Sequence, residues 1–190
     1  MWWVMMIAMM SPSAAPTILL YARAYRHAAI QGQITSKLAP TGAFTAGYLL
    51  VWLAFSIAVS GLQWLLLRMG LLSDMMASQN GLLSAALLIA AGVYQVSPIK
   101  RLCLDHCRSP TEFLTRHWRP GSDGALRLGV FHGAYCVGCC WVLMALLFVG
   151  GVMNLVWIAA LTVLVLLEKL APGGEWVARG VGVGLLAWGI

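Results

Sequence analysis

Six long apolar runs alternate with short polar stretches along the chain, at residues 1–20, 42–67, 81–97, 128–149, 152–167 and 176–190. None shows the strict apolar–polar alternation of a half-buried strand or a barrel strand, so each reads as a helix. A helix needs about 20 residues to cross the hydrocarbon core of a bilayer. The pattern therefore predicts an all-α, polytopic transmembrane helix bundle of six helices with short loops, a single integral membrane domain over residues 1–190. The longest stretch between runs, 98–127, is expected to be a cytoplasmic loop. Ser11-Pro12-Ser13 and Pro16 fall in the middle of the first run, where each proline removes a backbone donor and is expected to interrupt the helix. Pro98 closes the third run just after Tyr94 and Gln95. The spacing of Gly129, Gly133 and Gly138 predicts a neighbouring helix in close approach to the fourth.

Composition excludes the soluble alternatives. The chain is 61% hydrophobic and 9% charged, against roughly 25% charged in an ordinary soluble domain. A mean hydropathy of +0.85 excludes a disordered chain as well. The 12 Lys+Arg against 6 Asp+Glu serve topology rather than nucleic acid, for which no role is expected. Arg23, Arg26 and Lys37 follow the first run and Arg68 the second; Lys100, Arg101, Arg108, Arg116, Arg119 and Arg127 follow the third, and Lys169 and Arg179 the fifth. By the positive-inside rule the first, third and fifth loops are cytoplasmic and both termini lie outside. The charges follow the first run instead of preceding it, which marks a retained helix and not a cleaved signal. The last run spans only about 23 Å at 1.5 Å per residue, so the natural chain is expected to extend past it. All six carboxylates, Asp74, Asp105, Glu112, Asp123, Glu168 and Glu175, lie outside the runs, which leaves no membrane proton relay. P-loop, H-E-x-x-H, nucleophile-elbow and dinucleotide-glycine signatures are missing too, and an enzyme is not expected.

The candidate chemistry is sulfur. His132, Cys136, Cys139 and Cys140 in the fourth run occupy helical offsets spanning about 100° and so share one face. Thiolates and imidazole select copper(I) or zinc and give hard cations little reason to bind. A single membrane cysteine packs as a small apolar residue, but three within five positions beside an intramembrane histidine favour function. Cys103 and Cys107 form a second pair at i and i+4, with His106 between them as a further ligand candidate and Lys100, Arg101 and Arg108 around them. The competing reading of this segment is an interfacial amphipathic helix with incidental cysteines. Met5, Met6, Met9 and Met10 make a thioether stripe that suits copper(I), although methionine at helical spacing is also common packing material.

Three stretches, Ala8 to Ser13, Tyr94 to Pro110 and Gly133 to Trp141, resemble the bacterial family described as predicted metal-binding integral membrane proteins, whose function is unknown. The resemblance covers nearly the whole chain. It implies a metal-binding protein of the bacterial inner membrane, with a longer N-terminus than Met1 provides. The leading expectation is a bilayer protein that binds copper(I), or zinc, and transfers, transports or delivers it to a membrane or periplasmic protein partner. Two others stay open: a thiol–disulfide relay between Cys136/Cys139 and Cys103/Cys107, and a non-catalytic assembly subunit in an oligomer.

Overall fold

The computed structural model describes residues 1–30, 39–72, 78, 81–117 and 121–190; Lys37, Asp74 and Arg119 lie outside them. Among those residues the regular elements are helices: α1 (Trp2–Ile30), α2 (Ala39–Arg68), α3 (Gly81–Val96), α4 (Pro98–Arg108), α5 (Pro110–His117), α6 (Ser122–Ala145), α7 (Leu147–Gly150), α8 (Leu155–Leu170) and α9 (Gly174–Gly189). One isolated antiparallel bridge joins Leu72 and Ser78.

The all-α expectation holds, while the candidate spans among the described residues number three to four, not clearly six. Among the described residues three stretches are long and apolar enough to cross a membrane: Trp2–His27, Pro40–Arg68 and Ser122–Gly150. Helices α3 and α4 make a fourth if taken together, bent by 63° at their junction. Helices α8 and α9 have 16 residues each, about 24 Å at 1.5 Å per residue, short of a hydrocarbon core of about 30 Å.

Two local features depart from the expected pattern for identifiable reasons. Helix α1 runs on through Pro12 and Pro16. Serine hydroxyls there bond back to carbonyls of the preceding turn, Ser11 Oγ to Ile7 O at 2.6 Å and Ser13 Oγ to Met10 O at 2.9 Å, the local back-bonding that serine makes inside a helix. The segment 98–108, expected within a cytoplasmic loop with an amphipathic helix as the competing reading, is helical because it carries a start signal. Ser97 accepts from the Lys100 backbone N–H at 3.3 Å, and Pro98, which has no donor to lose, takes the first helical position.

Helix α6 is the centre of the bundle, packed most extensively on α2 and also against α4, α3 and α8, while α1 lies on α2 and α8, and α3 on α9. Glycines set the α2–α6 distance. A Cβ at Gly129 would stand 2.0 Å from the Phe44 carbonyl oxygen, and one at Gly47 2.3 Å from that of Leu126. Backbone cannot yield as a flexible side chain can. Gly129→Ala is therefore expected to destabilise the bundle by about 1–3 kcal/mol, read as a lowered melting temperature in detergent. Gly42→Ala, on the same helix pair but facing open space, should leave the melting temperature unchanged.

The charges require a correction. Lys100 and Lys169, counted as loop markers, and Glu168, placed outside the runs, are all buried, at 1%, 7% and 2% exposure. Glu168 and Lys169 belong to the last turn of α8, and Arg179 is inside α9.

Candidate metal centre

Four helices deliver sulfur and charge to the middle of α6. Helix α6 itself presents Cys136, Cys139 and Cys140, all buried. Helix α1 brings Met10, whose Sδ is 4.0 Å from Cys140 Sγ. Helix α4 brings Cys107, whose Sγ is 4.0 Å from Cys139 Sγ. It also brings Cys103, which fits beside α6 because residue 138 is glycine: a Cβ there would stand 3.0 Å from Cys103 Sγ. Helix α8 inserts Lys169, whose Nζ donates to Cys136 Sγ at 2.9 Å and approaches Ser13 Oγ at 3.4 Å. From α2, the Tyr48 hydroxyl lies 3.3 Å from Cys136 Sγ and 3.3 Å from the Met10 carbonyl.

All five cysteines are free thiols, and two of them are turned onto their own helix. Cys139 Sγ donates to the Cys136 carbonyl at 3.1 Å and Cys140 Sγ to the same oxygen at 2.9 Å. Among the described residues, no group of three or more His, Cys, Asp and Glu side chains is arranged to hold a metal ion. The sulfur spacings bear on what a small rearrangement can achieve. Metal–sulfur bonds of about 2.3 Å at trigonal angles put neighbouring sulfurs about 4.0 Å apart. Both the Cys107–Cys139 and the Met10–Cys140 pairs already have that separation.

The other expected residues are placed less centrally. His132, buried at 3%, has its ring among Phe44, Tyr48 and Phe113, at centroid distances of 6.0, 5.8 and 5.6 Å. His106 stacks on Tyr135 at 4.3 Å, with Nδ1 2.8 Å from the Leu102 carbonyl. A carbonyl only accepts, so Nδ1 carries the proton and Nε2 keeps its lone pair in the neutral ring. Met6 and Met9 are buried in the same core as Trp2, with Met5 packed against it.

Behind the sulfurs, α4 is tied to α8 and α3. Lys100 Nζ pairs with Glu168 Oε2 at 2.6 Å and also donates to Gln95 Oε1, while Gln95 Nε2 donates to Glu168 Oε1 at 2.6 Å. Arg108 Nη2, at the other end of α4, donates to the Ala171 and Pro172 carbonyls at 2.8 and 3.1 Å. The Tyr94 hydroxyl donates to the Gly138 carbonyl. Together these contacts hold Cys103 and Cys107 against α6.

Sequence reasoning missed Lys169, Tyr48 and Ser13. Lys169 stands at the end of an apolar run, where a cation ordinarily reaches water, and Tyr48 is one aromatic among many in an apolar helix. Gln95 and Lys100 flank the Ser97-Pro98 helix start, and that was the one legible sign of the polar triad.

A family model described as PpoB2, copper chaperone, matches residues 1–190. No curated protein and no solved structure matches the chain.

Proposed function

The chain belongs to the PpoB2 copper-chaperone family, and from that premise we propose that it is an integral membrane copper(I) carrier that hands the ion to a membrane or periplasmic metalloenzyme. The observation that carries this reading is the convergence of Cys107, Cys139, Cys140 and Met10 from α4, α6 and α1 beside Cys136. Soft donors of this kind suit copper(I). The ion is cargo, bound by displacing thiol protons and passed on by ligand exchange, with no change of oxidation state. Turning Cys139 and Cys140 off the Cys136 carbonyl frees their sulfurs for it. Pairs lying on the α1 side and the α4 side of α6 offer successive sites, so that no single bond has to break before the next has formed.

In this reading the three long helices and the bent α3–α4 pair cross the bacterial inner membrane with both termini outside. The end of α1 bearing Arg23 and Arg26 and the start of α6 near Arg127 face the cytoplasm. Met10 and the four cysteines Cys107, Cys136, Cys139 and Cys140 form the carrier site, with Cys103 and His106 toward its α4 edge and His132, Met5, Met6 and Met9 supporting it.

X-ray absorption at the copper edge of the Cu(I)-loaded chain tests the reading. A shell of sulfur alone is expected, and a shell dominated by nitrogen or oxygen would contradict it. Met10→Leu keeps the apolar volume and removes the thioether; it should weaken copper binding while costing less than about 1.5 kcal/mol of stability, read as a small change in melting temperature. A Cys107–Cys139 disulfide that forms readily and excludes copper would favour the thiol–disulfide relay instead.

A further inference from the structure

Three side chains that carry formal charge at neutral pH are buried among the described residues, Lys100, Glu168 and Lys169. Two of them cancel. Lys100 pairs with one carboxylate oxygen of Glu168, and Gln95 occupies the other. Glu168 is thus committed, and Lys169, its neighbour in sequence, points elsewhere: to Cys136 Sγ at 2.9 Å and Ser13 Oγ at 3.4 Å. An ammonium in an apolar interior is costly unless an anion meets it. Leaving the thiols aside, this interior therefore carries one positive charge in excess, directed at the sulfur cluster.

We propose that Lys169 is a fixed counter-charge that makes the site selective for a monovalent soft cation held by two thiolates, over a divalent one. The proposal rests on the copper reading above and adds to it a basis for choosing the ion. A monovalent ion with two thiolates carries a net charge of −1, and with Lys169 the assembly is neutral. Met10 adds a donor without adding charge. A divalent ion with the same two thiolates is neutral already, so the ammonium stays unbalanced in low dielectric and also repels the more highly charged ion. Zinc regains balance only by recruiting a third thiolate.

The test uses the full chain in detergent, with Cu(I) and Zn(II) affinities measured by competition against chromophoric chelators. Wild type is compared with Lys169→Met and Lys169→Gln, which remove the charge with and without the polar end, and far-UV circular dichroism verifies helix content. Both variants should lose about tenfold or more in Cu(I) affinity, as expected for removing a unit charge a few ångströms away in a medium of intermediate dielectric. Zn(II) affinity should hold or rise, so the Cu(I)/Zn(II) ratio falls. A merely structural lysine would weaken both metals in the same proportion, as would a three-thiolate zinc site, and either result overturns the proposal. So does a ratio that does not move. Wild type that takes up no Cu(I) would bring down the carrier reading itself, and the counter-charge with it.

Discussion

Replacing Cys136, Cys139 and Cys140 together by serine is expected to abolish stoichiometric Cu(I) binding while the helices remain folded. The substitution separates donor chemistry from packing. A hydroxyl is only slightly smaller than a thiol, and at positions 139 and 140 it can donate to the Cys136 carbonyl as the thiols do at 3.1 and 2.9 Å. The fold therefore loses little. The proposed copper site loses three of its soft donors, and hydroxyl oxygen does not replace thiolate for this ion. What remains is the α4 pair, Cys103 and Cys107, and the Met10 thioether on α1, without the α6 thiols that each of Cys107 and Met10 meets. Competition against a chromophoric Cu(I) chelator, with circular dichroism as the fold control, reads the outcome. Wild-type affinity in the triple variant would leave the α6 cysteines as packing residues.

The largest stability effect is expected at Glu168. Glu168→Ala leaves Lys100, 1% exposed, without its carboxylate, and strips Gln95 of an acceptor. Breaking a buried pair by removing one partner costs about 3–5 kcal/mol, because a charge stays buried and unpaired. A marked fall in melting temperature in detergent is the expected result. Replacing the whole network, as in Lys100→Met with Glu168→Leu and Gln95→Leu, removes that penalty without orphaning the Gln95 amide and should recover most of the loss. Location gives the pair a second effect. It clamps α4 against α8 while Cys107 faces Cys139, so the single variant should also bind copper more weakly, and the fully replaced variant should bind it nearly as wild type does. A Glu168→Ala chain that melts like wild type would show the pair to be dispensable.

These two predictions rest on features of unequal visibility in the sequence. The sulfur face of α6 was legible, because cysteine spacing on a long apolar run translates directly into a helical face. Cys107 and Met10 were visible as candidates, whereas their meeting with Cys139 and Cys140 depends on how three helices cross. The charges were misread. Lys100, Glu168 and Lys169 all sit at the ends of apolar runs, where composition is the same for a residue that reaches water and one that turns inward. Only the neighbouring helices decide between the two, and hydrophobic periodicity does not identify neighbours. The segment 98–108 was placed in a cytoplasmic loop with an amphipathic helix as the competing reading; it forms helix α4, whose Ser97-Pro98 start was in plain view. The six-span expectation is met only in part: the runs at 152–167 and 176–190 do form helices, α8 and α9, but 16 residues each is short for a crossing.

The central claim is that this chain carries copper on sulfur. The most direct measurement is elemental mass spectrometry of the full chain, purified in detergent under anaerobic reducing conditions and loaded with Cu(I). About one copper per chain, lost in the Cys136, Cys139 and Cys140 serine variant, is the predicted result for one site of soft donors. No bound copper after loading, with all five thiols still open to titration, would contradict it.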